Sequence, residues 1–112
     1  MKIALAVKKN QDNSKINTRF GRTEYFMIYN NNDMKIEFVD NSDIKNQSQG
    51  VGPLAAQKII DSGAKVVISG NPPGQGPMTM LRKFDIESYS GAKNMTVQEA
   101  LEAYKEGKLN KC

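Results

Sequence analysis

Two loop-like stretches hold most of the side chains that could bind an anion. The first, residues 8–23, is polar and basic, and its cations are Lys8, Lys9, Lys15, Arg19 and Arg22. Guanidinium groups such as these fork onto the oxygens of an anion or meet the surface of a sulfide-rich metal cluster. The same charges are equally compatible with a solvated basic surface. The residues that we select here as candidate cofactor-binding residues are Lys8, Lys9, Arg19, Phe20, Gly21 and Arg22.

The second stretch, residues 70–77, carries three glycines and three prolines around Asn71 and Gln75. Glycine permits close backbone approach, and a helix begun here would point amide donors at a bound anion. A rigid structural turn explains the composition equally well. The stretch lacks the Gly-Lys-Ser/Thr of a Walker loop, so it is not a nucleotide site of that type. The candidate binding residues from it are Asn71, Gly74 and Gly76.

Catalytic and metal-ligating residues are scarce. The chain has no histidine, which removes the commonest general base and a common zinc ligand. Its single cysteine, Cys112, excludes an internal disulfide, and we interpret it as a tail thiol. Met78 and Met80 are typical core fillers, although a thioether is also a soft metal ligand. We predict no catalytic residues, no set of metal-ligating side chains and a protein that is not an enzyme.

Composition predicts one domain spanning residues 1–112, with 38% hydrophobic and 25% charged residues. No targeting segment is recognised, so we expect a cytoplasmic location, with no nucleic-acid or membrane partner and a monomer or weak homo-oligomer. The net charge of +4 favours an anionic partner, although scattered surface lysines explain it as well.

The hydrophobic patterns predict five strands and three helices in the order β-β-β-α-β-α-β-α. Residues 2–7 form an apolar run without alternation, which indicates a strand buried on both faces, and residues 65–70 form a second such run. Aromatic and β-branched residues favour a strand at 24–30. The alternation in 34–40 indicates an antiparallel edge strand, and a weaker strand is predicted at 85–89.

Residues typical of helix ends mark the three helices. The first begins near Pro53 and stops at Gly63, and the second opens at Pro77. The third starts with a capping box at residues 96–99 and closes at Gly107. The side chains predicted to face the core are Leu54, Ala55, Ala56, Ile59 and Ile60 in the first helix, Met78, Leu81 and Phe84 in the second, and Val97, Ala100, Leu101 and Tyr104 in the third.

These connections predict a three-layer α/β fold with a mixed sheet. Strands joined through a helix pair in parallel by a right-handed crossover, so the simplest five-stranded sheet has the order 3-2-1-4-5 with strand 2 antiparallel to the rest. The chain then leaves strands 1 and 4 in opposite directions, and ligands bind in the crevice at such a point. Residues 8–23 and 70–77 would wall that crevice.

Several sequence blocks in this order resemble the dinitrogenase iron–molybdenum cofactor biosynthesis family, the small domain of NifX-type proteins and of the C-terminus of NifB-type proteins. The blocks are Met1-Lys2-Ile3-Ala4-Leu5-Ala6-Val7, Arg19-Phe20-Gly21-Arg22-Thr23-Glu24-Tyr25-Phe26, Gly52-Pro53-Leu54-Ala55-Ala56, Val66-Val67-Ile68-Ser69-Gly70-Asn71 and the ending from Thr96 to Leu109. The resemblance implies a ribonuclease-H-like fold without nuclease activity.

The resemblance also implies a function. It is the binding or carriage of an anionic iron–sulfur or iron–molybdenum type cluster, with nitrogenase-assembly-like proteins as partners. The family commonly has histidine before its Phe-Gly-Arg block, where this chain has Arg19, which only donates hydrogen bonds. The hypothesis that follows is that the protein holds the cluster by electrostatic attraction and hydrogen bonds. The alternative is a small-molecule or protein-interaction module that kept the fold without binding a cluster.

Overall fold

The computed structural model describes all of residues 1–112 and contains six strands and three helices. The strands are β1 Lys2–Val7, β2 Tyr25–Asn30, β3 Ile36–Asp40, β4 Ala64–Ile68, β5 Glu87–Ser90 and β6 Asn110–Lys111; the helices are α1 Val51–Ser62, α2 Gln75–Lys83 and α3 Val97–Lys105. No helix is long and apolar enough to cross a membrane.

The six strands form one sheet in the order β3-β2-β1-β4-β5-β6. β2 runs antiparallel to β1 and β3, whereas β1, β4 and β5 are mutually parallel. The predicted α/β fold, the order of the first five strands and the antiparallel second strand are therefore confirmed. The sixth strand was not predicted, because its two residues, Asn110 and Lys111, carry no apolar signal.

β1 lies in the middle of the sheet, between β2 and β4, and both of its faces are covered. Residues 3–7 are all at most 3% exposed. Ala4 and Ala6 pack in the hydrophobic cluster beneath α1 and α2, where small side chains let the helices approach the sheet. Leu5 and Val7 belong to the second cluster, on the face covered by α3. This burial explains why the β1 sequence is uniformly apolar rather than alternating.

Three residues that the sequence predicts to face the core or to lie in a strand are exposed. Leu54 is 43% exposed, because Val51 and Ala55 form the buried stripe of α1 instead. Phe84 is 52% exposed, since α2 ends before it and Ile86 occupies the core. Met34 is 74% exposed and has a positive φ of 62°, so the turn before β3 is longer than predicted and the strand starts at Ile36.

The predicted helix ends are close to those observed. α1 begins two residues before Pro53 and α2 two residues before Pro77, so each proline is the third helical residue, where its missing N–H leaves no intrahelical bond unmade. The capping box of α3 is confirmed. The Glu99 amide donates to the Thr96 hydroxyl oxygen at 3.3 Å, and the Thr96 amide donates to the Glu99 carboxylate at 2.9 Å.

Residues 15–18 fill the space between the carboxyl ends of β1 and β4, where we predicted an open crevice. The Asn17 amide donates to the Ala6 carbonyl at 2.8 Å, and the Gly70 amide donates to the Asn17 carbonyl at 2.9 Å. The segment thus satisfies backbone groups that the two diverging strands leave unpaired. As a consequence, the open space at this end of the molecule lies to either side of residues 15–18.

Candidate functional site

A groove lies on the α1–α2 side of this segment, between three pieces of chain: residues 19–22, 48–53 and 72–77. Its volume is about 670 Å³, and it is open to solvent. This volume is within the usual range of small-ligand sites, about 300–1,000 Å³. Polar side chains, glycines and prolines make up most of its lining, so a ligand here would meet hydrogen-bonding groups beside apolar proline rings.

Both helices that reach the groove begin with the same pattern, Gly-x-Gly-Pro. In α1 it is residues 50–53 and in α2 it is residues 74–77. The first glycine of each pattern is the N-cap residue, so no side chain caps either helix. Neither helix has an acidic residue in its first turn. The positive ends of both helix dipoles are therefore not neutralised by the chain itself.

Gly52 and Pro77 bring the two helix ends together. A Cβ placed on Gly52 would lie only 3.0 Å from the Pro77 Cγ and Cδ atoms. In the reciprocal contact, a Cβ on Gly76 would lie 3.8 Å from the Pro53 Cγ atom. The absence of a side chain at Gly52 thus allows the start of α1 to lie directly against the start of α2.

Within the first turns of the two helices, four backbone amides donate no hydrogen bond in the protein: those of Val51, Gly52, Gln75 and Gly76. Such donors require water or a ligand as acceptor. Gly21 leaves room beside two of these residues, because a Cβ on it would lie 3.1 Å from the Val51 Cγ1 atom and 3.4 Å from the Gly52 nitrogen. The residues present therefore fit an anion that accepts hydrogen bonds from backbone amides.

The two arginines of the groove have different surroundings. The Arg22 Nη1 atom donates to the carbonyls of Lys45, at 2.7 Å, and Gln47, at 2.9 Å. Arg22 therefore holds the loop that leads into α1. The side chain of Arg19 is exposed and makes no hydrogen bond or ion pair in the protein, so it is free to meet a ligand.

Phe20 and Asn41 fix the turn that carries the two arginines. Phe20 is 4% exposed, and its ring lies 5.5 Å from that of Phe26, so it anchors the loop in the core. Asn41 is completely buried and donates from Nδ2 to the carbonyls of Gly21, at 2.9 Å, and Thr23, at 3.0 Å. Sequence reasoning missed Asn41, because a polar residue at the start of a polar loop gives no sign of burial.

The structure places the predicted site residues in three locations. The groove contains Arg19, Phe20, Gly21, Arg22, Gly74 and Gly76. Lys8 and Lys9 line a separate cavity of about 530 Å³. Asn71 does not line the groove; its amide donates to the Thr18 carbonyl at 2.9 Å, which makes it part of the groove's support.

The chain brings no three histidine, cysteine, aspartate or glutamate side chains together as a metal site. The groove offers hydrogen-bond donors and positive charge in place of coordinating atoms, and Cys112, which follows the edge strand β6, does not line it. A metal cluster could be held here through its anionic surface rather than by a bond from a protein side chain to the metal.

Comparison with known proteins identifies a family and a relative that this chain resembles. The family model described as dinitrogenase iron-molybdenum cofactor matches residues 1–107. An uncharacterized protein of Methanocaldococcus jannaschii is 31% identical over 113 residues, which cover 99% of this chain and 91% of that protein.

Two solved structures share the fold over nearly the full length of both chains. The apo form of the orange protein from Desulfovibrio gigas has a TM-score of 0.92 and 27% identity, covering 99% of this chain and 92% of that one. A putative NifB protein from Thermotoga, described as a member of the DUF35 family, has a TM-score of 0.83 and 29% identity, covering 98% and 91%.

Proposed function

Because the chain belongs to the dinitrogenase iron–molybdenum cofactor family, we propose that it is a non-catalytic carrier whose cargo is an anionic iron–sulfur or iron–molybdenum type cluster. The cargo would lie in the groove between residues 19–22 and the starts of α1 and α2. The observation that carries this proposal is the pair of adjoining, uncapped helix N-termini with four free amides.

The electrostatics of the groove favour an anion. Each helix N-terminus carries the equivalent of about half a positive charge, and the two act on the same space. Arg19 adds a full charge at the rim, and the net charge of +4 attracts an anion over a longer range. Lys8 and Lys9 belong to this long-range attraction, because they lie outside the groove.

Holding by amides and charge suits a carrier. A cluster bound by hydrogen bonds leaves without breaking a metal–ligand bond, so it can be passed to a partner that offers thiolate or imidazole ligands. Nitrogenase-assembly-like proteins are the partners that this role requires. The cargo in this scheme undergoes no chemistry, which agrees with a groove that contains no histidine, cysteine or carboxylate side chain.

A second function is favoured by one observation, the arginine at position 19 where the family commonly has histidine. Under this alternative, the groove binds a small anionic molecule or an acidic segment of another protein and no metal. Both functions use the same donors, so cluster retention is the property that separates them.

The test is anaerobic titration with isolated iron–molybdenum cofactor and, separately, with a synthetic iron–sulfur cluster. The readout is visible absorption that co-elutes with the protein on gel filtration. The carrier role predicts retention that weakens as salt rises and is reduced in Arg19→Gln. Lys105→Gln, which removes the same charge from α3 on the other face of the sheet, is the matched control.

Arg19→His completes the experiment. If wild-type protein retains no cluster and Arg19→His does, the carrier role fails for this chain and the anion-binding module is the better conclusion. If neither retains a cluster, the extension from family to cargo is wrong. If Lys105→Gln weakens retention as much as Arg19→Gln, the attraction is non-specific and the groove is not the site.

A further inference from the structure

A third pocket, of about 440 Å³, lies between α2 and the outer edge of the sheet. We call it the edge pocket. Its walls include Lys65, Met78, Arg82, Ser88 and Cys112, and none of its lining residues belongs to the groove. Its chemistry is therefore independent of the proposed carrier site.

Ser88 is a buried polar group without a partner. The residue is 2% exposed, and its hydroxyl oxygen makes no hydrogen bond. Ser88 pairs with Val67 across β5 and β4, and Val67 packs in the cluster beneath α1 and α2. Residues directly opposite each other in neighbouring strands point to the same face, so the hydroxyl lies on the side of the sheet where α2 and the edge pocket are. A buried hydroxyl without a hydrogen-bond partner is destabilising, so the Ser88 hydroxyl is available to bond to water or to a ligand that enters the pocket.

Two of the three unpaired side-chain charges around the pocket are positive. Lys111 is paired with Glu87 at 2.7 Å, so these two residues neutralise each other. The side chains of Lys65 and Arg82 form no ion pair or hydrogen bond, and Asp85 is the one unpaired acid of the lining. Among the side chains of the lining, Lys65 and Arg82 are therefore the two cations that can meet an anion, beside the free carboxylate of Asp85.

Cys112 lies beside Ser88 at the wall of this pocket. Its amide donates to the Ser88 carbonyl at 2.8 Å, continuing the antiparallel ladder between β5 and β6 by one residue. Cys112 is therefore opposite Ser88, with its side chain on the same face. Because it is the only cysteine of the chain, its thiol reports on the pocket without interference.

From these contacts we propose that the edge pocket binds a small oxyanion, a carboxylate or phosphate group. The Ser88 hydroxyl donates to this group, and Arg82 and Lys65 attract it. Met78 supplies an apolar wall, which suits the remainder of an organic anion. Asp85 weakens the attraction, so Asp85→Asn should strengthen binding.

The thiol of Cys112 provides the test. We would compare its rate of reaction with an anionic aromatic disulfide, 5,5′-dithiobis(2-nitrobenzoate), and with the neutral 4,4′-dithiodipyridine, at constant ionic strength set by chloride. Attraction by the pocket should raise the ratio of the anionic reagent's rate to the neutral reagent's rate. Inorganic phosphate or acetate should slow the reaction of the anionic reagent saturably. Inhibition by phosphate alone identifies a phosphate site, and inhibition by acetate alone a carboxylate site. Inhibition by neither overturns the proposal.

Variants locate the effect. Arg82→Gln should lower the anionic-to-neutral rate ratio by about threefold to fivefold, the size of one partly screened charge interaction. Lys83→Gln, the adjacent residue of α2 outside the pocket, should leave the ratio unchanged. In Ser88→Ala, the anions should protect the thiol less. If Ser88→Ala fails to fold, phosphate titration of wild type followed by the amide NMR signals of Ser88 and Cys112 replaces it, and unchanged signals count against the site.

Discussion

Gly70 lies against the backbone of Thr18 so closely that a Cβ on the glycine would be 2.7 Å from the Thr18 Cα atom. The chain holds this approach with backbone hydrogen bonds, since the amides of Gly70 and Asn71 donate to the carbonyls of Asn17 and Thr18, each at 2.9 Å. Residues 15–18 are thereby fixed to the end of β4. This contact determines where the turn with the two arginines emerges, and so it positions one wall of the groove.

Gly70→Ala should be strongly destabilising, because the position of the new Cβ is fixed by its own backbone and the atom it meets, the Thr18 Cα, is backbone, so neither can rotate away. We expect a loss of at least about 1–3 kcal/mol in the free energy of unfolding, the usual range for overpacking. Denaturant unfolding measures it. Hydrogen exchange of the Asn71 amide should accelerate beyond the global change. Gly74→Ala is the control, since a Cβ there meets only Pro77 at 3.9 Å; an equal loss in both variants would contradict this account.

The reciprocal glycines of the two Gly-x-Gly-Pro patterns make a matched pair. In Gly52→Ala the new methyl group lies 3.0 Å from Pro77, so the start of α2 must move, and we expect a loss of about 1–3 kcal/mol together with weaker anion binding in the groove. In Gly76→Ala the contact of 3.8 Å is ordinary, and reduced freedom of the unfolded chain should make stability unchanged or up to about 1 kcal/mol higher. Denaturant unfolding checks both, and similar losses would show that the glycines do not set the helix spacing.

Much of the fold was predictable because periodicity reports burial directly. The apolar runs of β1 and β4 are buried on both faces, and Thr96 and Glu99 mark the start of α3 by local hydrogen bonds alone. The sequence predicts Leu54 to face inward because helical spacing leaves neighbouring positions ambiguous by one residue, and it predicts Phe84 to do so because nothing in it marks the end of α2 at Lys83. β6 escaped because two polar residues pair only through their backbone.

The candidate site was predictable in its chain segments but not in its composition. The Phe-Gly pair and the loop after β4 were recognisable, whereas the part played by residues 50–53 was not. Their role depends on α1 lying beside α2, which is a long-range packing relationship. For the same reason, no sequence pattern could indicate that Arg19 lines the groove whereas Lys8 lies outside it.

Leu5→Ala should lower the free energy of unfolding by about 2–5 kcal/mol, because Leu5 is completely buried in β1 and the change leaves a cavity. Leu54→Ala makes the same chemical change on the exposed side of α1 and should stay within about 0.5 kcal/mol of wild type. Thermal or urea unfolding of the two variants checks the pair. A loss below about 1 kcal/mol for Leu5→Ala would be incompatible with a central, doubly covered β1.

The capping box should make the free energy of unfolding depend on pH in the acidic range. The Thr96 amide, and next its hydroxyl, hold the pKa of the Glu99 carboxyl below its ordinary value of 4.5. A pKa lowered in the folded state means that the stabilisation is fully present above pH 4.5 and is lost as pH falls through the lower, folded value. Between pH 6 and pH 3, Glu99→Gln should therefore lose less free energy of unfolding than wild type does, as measured by urea unfolding. An unchanged slope would exclude this ionisation as a contributor.

Arg19 and Arg22 should separate binding from stability. Arg22→Gln removes two charged hydrogen bonds to the carbonyls of Lys45 and Gln47, so it should lower the free energy of unfolding by about 1–3 kcal/mol. Arg19→Gln removes an unbonded surface charge and should stay within about 0.5 kcal/mol of wild type while weakening anion binding. Urea unfolding and titration with the clusters named above measure the two quantities on the same preparations. If Arg19→Gln destabilises as much as Arg22→Gln, or binds anions as wild type does, Arg19 is not the free cation of the groove.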